Sequence, residues 1–272
     1  MSVDTTSVLT ERLARRGVRI FSAAVLVFLV APVLIVIPLS FNQSTYFSYP
    51  MTGVTTGWYE AIFSSAQWRA AIANSFLIGL SATAIASVLG TLAAIGISRP
   101  GFPFRALIVP ILIAPMIIPI VVVAVSLYLV FAPLHLINTH LGVILAHAAL
   151  GTPFVVITVT ARLMAFDTNL SRAAAGLGAS PWTSFRRVML PQILPGVATG
   201  SIFAFATSFD EVVVILFIGG TEQRTIPRQM WAGIRDQINP TILAMAGLLT
   251  VFAIVLLLAI GWLQGRTGAP GR

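Results

Sequence analysis

Two adjacent acidic residues, Asp210 and Glu211, lie inside a long apolar stretch of the sequence, between residues 203–209 and residues 212–218. A carboxylate in such surroundings destabilises a protein by a few kcal/mol unless something compensates. Attraction of a cation along a water-filled path would compensate. Pairing with an arginine or histidine of another segment would also compensate, and so would contact with water near the outer boundary of the membrane. The sequence leaves these alternatives open, and the first makes Asp210 a candidate cation-binding group.

The neighbours of Asp210 favour a path for a cation. In a continuous helix Asp210 shares its face with a mixed polar and aromatic strip: Thr199, Phe203 and Thr207. Anionic groups and aromatic faces together can replace the hydration shell of a cation. We therefore expect Phe203, Thr207 and Asp210 to line a substrate path.

Glu211 falls on another face of the same predicted helix. That face carries a small residue at every fourth position: Gly196, Gly200, Ala204 and Ser208. Small residues at this spacing let a second helix approach closely. Glu211 is therefore expected either to assist its acidic neighbour at the substrate path or to take part in a structural pair.

Other chemistry has little support in the sequence. His147 is the one histidine well inside an apolar segment, and we expect it to be hydrogen-bonded between helices. No metal is predicted, because no further ligands stand at a suitable spacing. The absence of cysteine excludes disulfides and thiol catalysis. Without a Gly-x-x-x-x-Gly-Lys-Ser/Thr phosphate loop or a Ser/His/Asp set, the chain is not expected to hydrolyse ATP or to be an enzyme.

The amino-acid composition indicates whether these residues lie in a soluble protein or in a membrane protein. Of the 272 residues, 57% are hydrophobic and 9% are charged, whereas soluble domains carry about 25% charged residues. These values exclude a water-soluble enzyme, and the net charge of +8 is too sparse for a nucleic-acid-binding patch. The chain is therefore predicted to be an all-α polytopic membrane protein.

Six apolar segments are long enough to cross a bilayer core of about 30 Å as helices. They are residues 20–41, 70–97, 106–131, 142–161, 192–218 and 240–263. The third segment contains Pro110, Pro115 and Pro119, so we expect this span to be broken or strongly bent. The first span has no small-x-small cleavage site after Ser40 and is expected to be retained.

The distribution of arginine predicts the orientation, because basic residues are enriched in cytoplasmic loops. With the amino terminus inside, the cytoplasmic arginines are Arg12, Arg15, Arg16, Arg19, Arg99, Arg105, Arg162, Arg172, Arg186, Arg187, Arg266 and Arg272. Those left outside are Arg69, Arg224, Arg228 and Arg235. The bias predicts cytoplasmic tails at residues 1–19 and 264–272 around a six-helix domain at residues 20–263.

Two segments are predicted to lie on the outer side. Residues 42–69 are rich in tyrosine and tryptophan, which are common at membrane interfaces. In residues 219–239, Thr225 is expected to cap a short helix. Met230 and Trp231 lie on one face of that helix, and they are candidates for an interfacial anchor or an outer gate.

The 162–191 loop is the one substantial loop predicted on the inner side. Its first helix is rich in alanine and is expected to end at Gly178, a residue that tolerates the left-handed conformation. Ser180 and Pro181 begin a second helix, and Pro191 is expected to end it. Two short helices around a glycine hinge suit either the docking of another protein or a simple connection.

The same loop resembles the EAA loop of permease subunits in binding-protein-dependent ABC importers with the type I fold. The matching positions are Ala173, Ala174, Gly178, Val188, Leu190 and Pro191. The resemblance implies a coupling helix that docks on an ATPase subunit through Arg172, Ala173, Ala174, Gly178, Ala179, Ser180 and Pro181. Arg172 stands where the motif has glutamate, so we expect an acidic partner if that position faces the ATPase.

Residues 208–214, 224–231 and 238–242 resemble the C permease of the spermidine/putrescine branch of that family. The resemblance implies a polyamine as substrate and a homologous second permease in a heterodimer. It also implies two ATPase subunits that bind ATP and Mg, and a periplasmic binding protein that Met230 and Trp231 could contact. The implied location is the bacterial inner membrane, with both termini in the cytoplasm and no cofactor on this chain.

Three other functions compete with this one. A related permease could carry another small amine or solute. An ion-coupled secondary transporter would be expected to have inverted repeats and ion-binding charges in several spans, but only the fifth predicted span contains acids. A non-transporting scaffold would have no need for carboxylates inside the membrane.

Overall fold

The computed structural model describes residues 5–46, 48–236 and 239–267, and this part of the chain is almost entirely helical. Ile238 and Arg272, used above for the family motif and the orientation, lie outside the described residues. The described residues form twelve α-helices and one π-helical turn. They are α1 (Thr5–Leu39), α2 (Gly57–Ser64), α3 (Ala66–Ile97), α4 (Arg105–Ile117), α5 (Ile120–Phe131), α6 (His140–Met164), α7 (Thr168–Gly176), α8 (Pro181–Ser184), the π turn (Phe185–Met189), α9 (Leu190–Asp210), α10 (Val213–Ile218), α11 (Ile226–Asp236) and α12 (Thr241–Thr267).

The membrane-spanning helices match the sequence prediction in number. Five stretches of helix are long and apolar enough to cross a bilayer, and α4 with α5 gives a sixth if the bent pair is one span. The axes of α4 and α5 differ by 109°, which confirms the predicted break in the third span. Ile118 is extended and Pro119 begins the next helix, because proline disfavours helical backbone in the residue before it.

The ends of the first and last helices do not coincide with the predicted domain boundaries. Helix α1 already begins at Thr5, and α12 continues to Thr267. The predicted boundaries at residues 20 and 263 mark changes in hydropathy, and the backbone remains helical through both.

The chain divides into two compact units. One contains residues 1–62 and 236–255. Within it, the buried Asn42 organises the loop that follows α1. Its side-chain Oδ1 accepts from the backbone N–H of Thr52 (3.1 Å), and its side-chain Nδ2 donates to the backbone oxygen of Ser48 (3.0 Å). Its backbone carbonyl oxygen accepts from Trp58 Nε1 (2.9 Å). These bonds order a loop that has little regular secondary structure.

The other unit contains residues 63–235 and 256–272, and its core is the three-helix packing of α3, α6 and α9. Glycines make this close approach possible. A Cβ placed on Gly151 would lie 2.9 Å from Ala204 Cβ, and one placed on Gly200 would lie 2.7 Å from Val155 Cα. The predicted small-residue face of α9, from Gly196 to Ser208, is therefore confirmed as the face that packs in this core.

Candidate functional site

The fifth span is broken beside its two acidic residues. Helix α9 ends at Asp210, Glu211 is extended (φ −72°, ψ 124°), and α10 begins at Val213. The prediction of one continuous helix over residues 192–218 was therefore wrong. Glu211 Oε1 accepts a hydrogen bond from the N–H of Val214 (2.9 Å), so the acidic side chain caps the second helix instead of continuing the first.

This break changes the role expected for Glu211. The residue does not share the small-residue face of α9, as a continuous helix would require. Its half-buried carboxylate bonds to the backbone three residues later and makes no ion pair within the described residues. Sequence periodicity missed this, because the cap depends on one side-chain contact and leaves the hydrophobic pattern unchanged.

Asp210 lies on the exposed side of α9. Its side chain is exposed, Phe203 is 43% exposed, and Thr199 and Thr207 are half-buried on the same face. Phe203 stacks on Phe154 of α6, with ring centroids 6.1 Å apart and planes 20° apart. Among the residues that the structure describes, no arginine or histidine pairs with Asp210. The predicted strip from Thr199 to Asp210 is thus an accessible polar and aromatic surface that ends in a carboxylate.

His147 lies behind this strip and joins α6 to α9. Its imidazole is 1% exposed, and its Nδ1 lies 2.8 Å from Ser208 Oγ. The expectation of a hydrogen-bonded histidine between helices is confirmed. The other ring nitrogen, Nε2, has no partner in the described part of the chain. No group of three potential metal ligands occurs among the described residues.

Helix α11 lies in the segment where the sequence predicted a short helix, but the side chain that caps it is not Thr225. Thr225 Oγ1 is buried without a hydrogen-bond partner among the described residues, so the predicted side-chain cap is wrong. The N–H of Ile226 instead donates to Ser75 Oγ of α3 (2.9 Å). A hydroxyl 151 residues away in the sequence therefore caps the start of α11, and no local sequence signal could have indicated it.

The exposed part of α11 includes the predicted gate residues. Trp231 is 46% exposed and Met230 is half-buried. Arg228 Nη1 donates to the carbonyl oxygen of Gly220. Burial lowers the pKa of Arg228, and the nearby Arg224 cation lowers it further. Through its hydrogen bond to Gly220, Arg228 holds the preceding loop against α11.

A hydrogen-bond network joins the same loop to the amino-terminal ends of α3 and α6. Asn74 Nδ2 donates to the carbonyl oxygens of Glu222 (2.7 Å) and Arg224 (3.0 Å). Asn74 Oδ1 lies 3.1 Å from His140 Nε2, and Gln223 Nε2 lies 3.4 Å from His140 Nδ1. Because Asn74 Oδ1 can only accept and Gln223 Nε2 can only donate, His140 donates through Nε2 and accepts through Nδ1. This network was not predicted, because no local sequence pattern links its members.

The 162–191 loop contains the two predicted helices and the glycine hinge. Asp167 caps α7 by accepting from the N–H of Asn169 (2.9 Å), and Gly178 has a left-handed backbone with φ +82°. Ser180 caps α8 by accepting from the N–H of Thr183 (3.2 Å). The glycine hinge and the start of α8 at Ser180 were predictable because each signal acts within three residues.

The end of this loop corrects one prediction. Pro191 does not end the second helix, because it occupies the first turn of α9. The π turn between α8 and α9 carries the N–H of Leu190 back to Phe185 O, and helix continues from Pro181 to Asp210. Pro191 directly follows this π turn, where the regular α-helical hydrogen-bond pattern is interrupted, and its missing N–H is therefore tolerated.

The surface of the loop is suited to a protein contact. Leu177 is 90% exposed and Trp182 is 67% exposed. Arg172 and Ala173 are also exposed, and Ala174 is half-buried. Exposed large apolar side chains beside small ones form a surface that another protein can cover.

The described residues thus contain five helices long enough to cross a membrane, a bent pair that gives a sixth span if it is counted as one, and a capped two-helix loop before the fifth span. Residues 86–268 match the family model described as "Binding-protein-dependent transport system inner membrane component". The chain therefore belongs to this family of inner-membrane transport proteins.

Curated relatives and solved structures agree with that membership. The chain is 32% identical to the spermidine/putrescine transport system permease protein PotC of Escherichia coli K12, over 91% of this chain and 92% of PotC. It is 32% identical to the putrescine transport system permease protein PotI of the same strain, over 82% and 81% of the two chains. A bacterial alginate ABC transporter, solved with an alginate-bound periplasmic protein, has the same fold (TM-score 0.73, 19% identity, 98% and 99% coverage).

Proposed function

We propose that this chain is a permease subunit of an ATP-driven polyamine importer, and that Asp210 attracts the cationic substrate. The observation that carries the proposal is the exposed carboxylate at the break in the fifth span, which has no ion-pair partner among the described residues. An ionised group at such a position is costly unless it serves a path or a partner. The names of the two relatives, which specify spermidine and putrescine, support a polyamine as the cation.

The rest of the path would be provided by neighbours of Asp210. Phe203, one of the exposed residues of the strip, offers an aromatic face, and Thr207 offers a hydroxyl one turn from the carboxylate. Glu211 contributes a second negative charge beside the path while its side chain caps α10. A polyamine has several separated ammonium groups, so a carboxylate with an aromatic neighbour can bind one group while the others move.

The partners follow from the same proposal. A homologous permease would complete the path as a heterodimer, and a periplasmic binding protein would deliver the substrate at the end that contains Met230 and Trp231. Two ATPase subunits, carrying ATP and Mg, would dock on the 162–191 loop. The contact would use Arg172, Ala173, Ala174 and the segment from Gly178 to Pro181, including Ala179 and Ser180.

The orientation is also part of the proposal. Both termini and the 162–191 loop lie in the cytoplasm, as the arginine distribution favours. The outer end then contains the network around His140. In this orientation the break at Asp210 lies toward the outer half of the fifth span, where a substrate released by the binding protein would arrive first.

The substrate class is tested by uptake into proteoliposomes that contain the assembled importer. Labelled spermidine is the substrate, and putrescine, a neutral amino acid and an anion are the unlabelled competitors. We expect ATP-dependent uptake that only putrescine reduces. ATP-dependent uptake of another solute, without spermidine uptake, would retain the family and reject the polyamine. ATP-independent uptake by the assembled complex would support an ion-coupled transporter instead.

A further inference from the structure

A groove of about 740 Å³ lies between α4 and α6, beside the last turn of α3. Its walls are apolar, with Val109 and Ile113 on one side and Val156, Ile157 and Ala161 on the other. Proline at position 110 lies in the same wall of α4. A cavity of about 300–1,000 Å³ is the size in which proteins hold small organic ligands.

One charged residue lies at the mouth of this groove. Arg105 is the first residue of α4, and its side chain is exposed. Among the described residues that line the groove, it is the only one with a charged side chain. No residue in the described part of the chain accepts a hydrogen bond from its guanidinium. No side chain caps the first turn of α4 either, because the preceding residue is Phe104 in a left-handed conformation. The mouth thus carries an unpaired positive charge beside the positive end of a helix.

The length of the groove restricts what can fill it. Along α6 it extends from Val156 to Met164, which is about 12 Å at 1.5 Å per residue. This is less than half of a bilayer core of about 30 Å, so the groove lies within one leaflet. A single lipid chain fits this length.

We propose that the groove binds an anionic phospholipid of the cytoplasmic leaflet. One acyl chain lies against Val109, Ile113 and Ile157, and the phosphate binds the guanidinium of Arg105. Apolar burial provides affinity for any phospholipid, and the charge at the mouth provides preference for an anionic headgroup. The site lies at the same end of α6 as the 162–191 loop, so the bound lipid fills the space beside the base of that loop. The leaflet rests on the proposed orientation, and the site does not depend on the substrate.

The absence of cysteine from the chain allows a direct test by fluorescence quenching. The variant Ile157→Cys, labelled with bimane, places a fluorophore in the groove of the assembled complex, which is reconstituted in phosphatidylcholine. Brominated phosphatidylglycerol or brominated phosphatidylcholine is then added in trace amounts. We expect brominated phosphatidylglycerol to quench at least about threefold more than brominated phosphatidylcholine, and we expect Arg105→Gln to make the two equal.

Two controls separate a bound lipid from the surrounding bilayer. The variant Leu89→Cys places the label at an exposed site on α3 that lies outside the groove, and both brominated lipids should quench it equally. Arg105→Lys keeps the positive charge and should keep the preference. Equal quenching by the two brominated lipids in the labelled Ile157→Cys variant with Arg105 intact would overturn the proposal. An absence of quenching by both lipids would also overturn it, because it would show that protein covers the groove. Polyamine uptake is no part of this readout, so the substrate proposal is tested separately.

Discussion

The buried imidazole of His147 in α6 lies 2.8 Å from the hydroxyl of Ser208 in α9, two residues before Asp210. This bond fixes the end of α9 against α6 at the point where the fifth span breaks. The exposed carboxylate of Asp210 therefore extends from a helix end that is held in place by buried contacts. A binding site needs charged groups that are held in a fixed position. The anchored end of α9 and the exposed carboxylate of Asp210 meet this need for a site that binds a cation.

The first prediction concerns this pair. His147→Leu leaves the hydroxyl of Ser208 buried without its partner, which costs about 1–3 kcal/mol. We expect His147→Leu to lower the thermal unfolding temperature of the purified complex and its uptake activity. The double variant with Ser208→Ala should be less destabilised than the sum of the single variants. Ser126→Ala, on the exposed side of α5, is the control and should have no effect. Additive effects of the two changes would contradict the coupling.

The second prediction separates the cap of Glu211 from its charge. Glu211→Gln keeps an oxygen that accepts from the N–H of Val214, whereas Glu211→Ala removes it. We expect the alanine variant to lose about 0.5–2 kcal/mol of stability, as for other caps. The glutamine variant should unfold at the parental temperature and keep most of the uptake. If glutamine reduces uptake as strongly as Asp210→Asn does, the charge of Glu211 is the more important feature.

The third prediction concerns the packing of α6 against α9. A methyl group on Gly200 would lie 2.7 Å from Val155 Cα, where neither backbone can move independently. We expect Gly200→Ala to destabilise the complex by about 1–3 kcal/mol through overpacking. Gly96→Ala is the matched control, because nothing lies within 4 Å of its added methyl group. The control should be neutral or stabilising in thermal unfolding. Equal effects of the two substitutions would refute the close approach.

The fourth prediction concerns the hinge of the 162–191 loop. Gly178 has φ +82° with open space around it, so Gly178→Ala meets no steric clash but strains the backbone by about 1–2 kcal/mol. We expect this variant to weaken ATPase co-purification and ATP-dependent uptake. Gly176→Ala also adds a methyl group in open space, but the backbone there is helical. It should therefore retain both activities. A loss of both activities in the Gly176 variant alone would place the important contact in α7 instead.

The sequence predicted those features whose cause is local. Three prolines indicated the break in the third span, and Ser180 with Pro181 indicated the start of α8, because these residues restrict their own backbone. The break at Glu211 was not predictable from hydropathy, since the residues on both sides remain apolar. Pro191 was misinterpreted because a π turn before it lets the helix continue.

Long-range polar contacts were beyond the reach of sequence patterns. The hydroxyl of Ser75 begins α11, and Asn74 contacts His140 across 66 positions of sequence. Such contacts depend on which helices become neighbours, and helical periodicity does not contain that information. The small-residue face of α9 was predictable for the opposite reason, because any helix that packs closely on another needs one.

The central claim is that the charge of Asp210 attracts the substrate. Its most direct test is the concentration dependence of spermidine uptake by proteoliposomes with the complete complex, comparing Asp210→Asn with Asp210→Glu. ATPase co-purification serves as the check of assembly, and Glu222→Gln serves as a control at an exposed acid. We predict that asparagine lowers kcat/KM about tenfold, equivalent to about 1.4 kcal/mol, while glutamate restores most of it. Unchanged uptake kinetics in an assembled Asp210→Asn complex would contradict the claim.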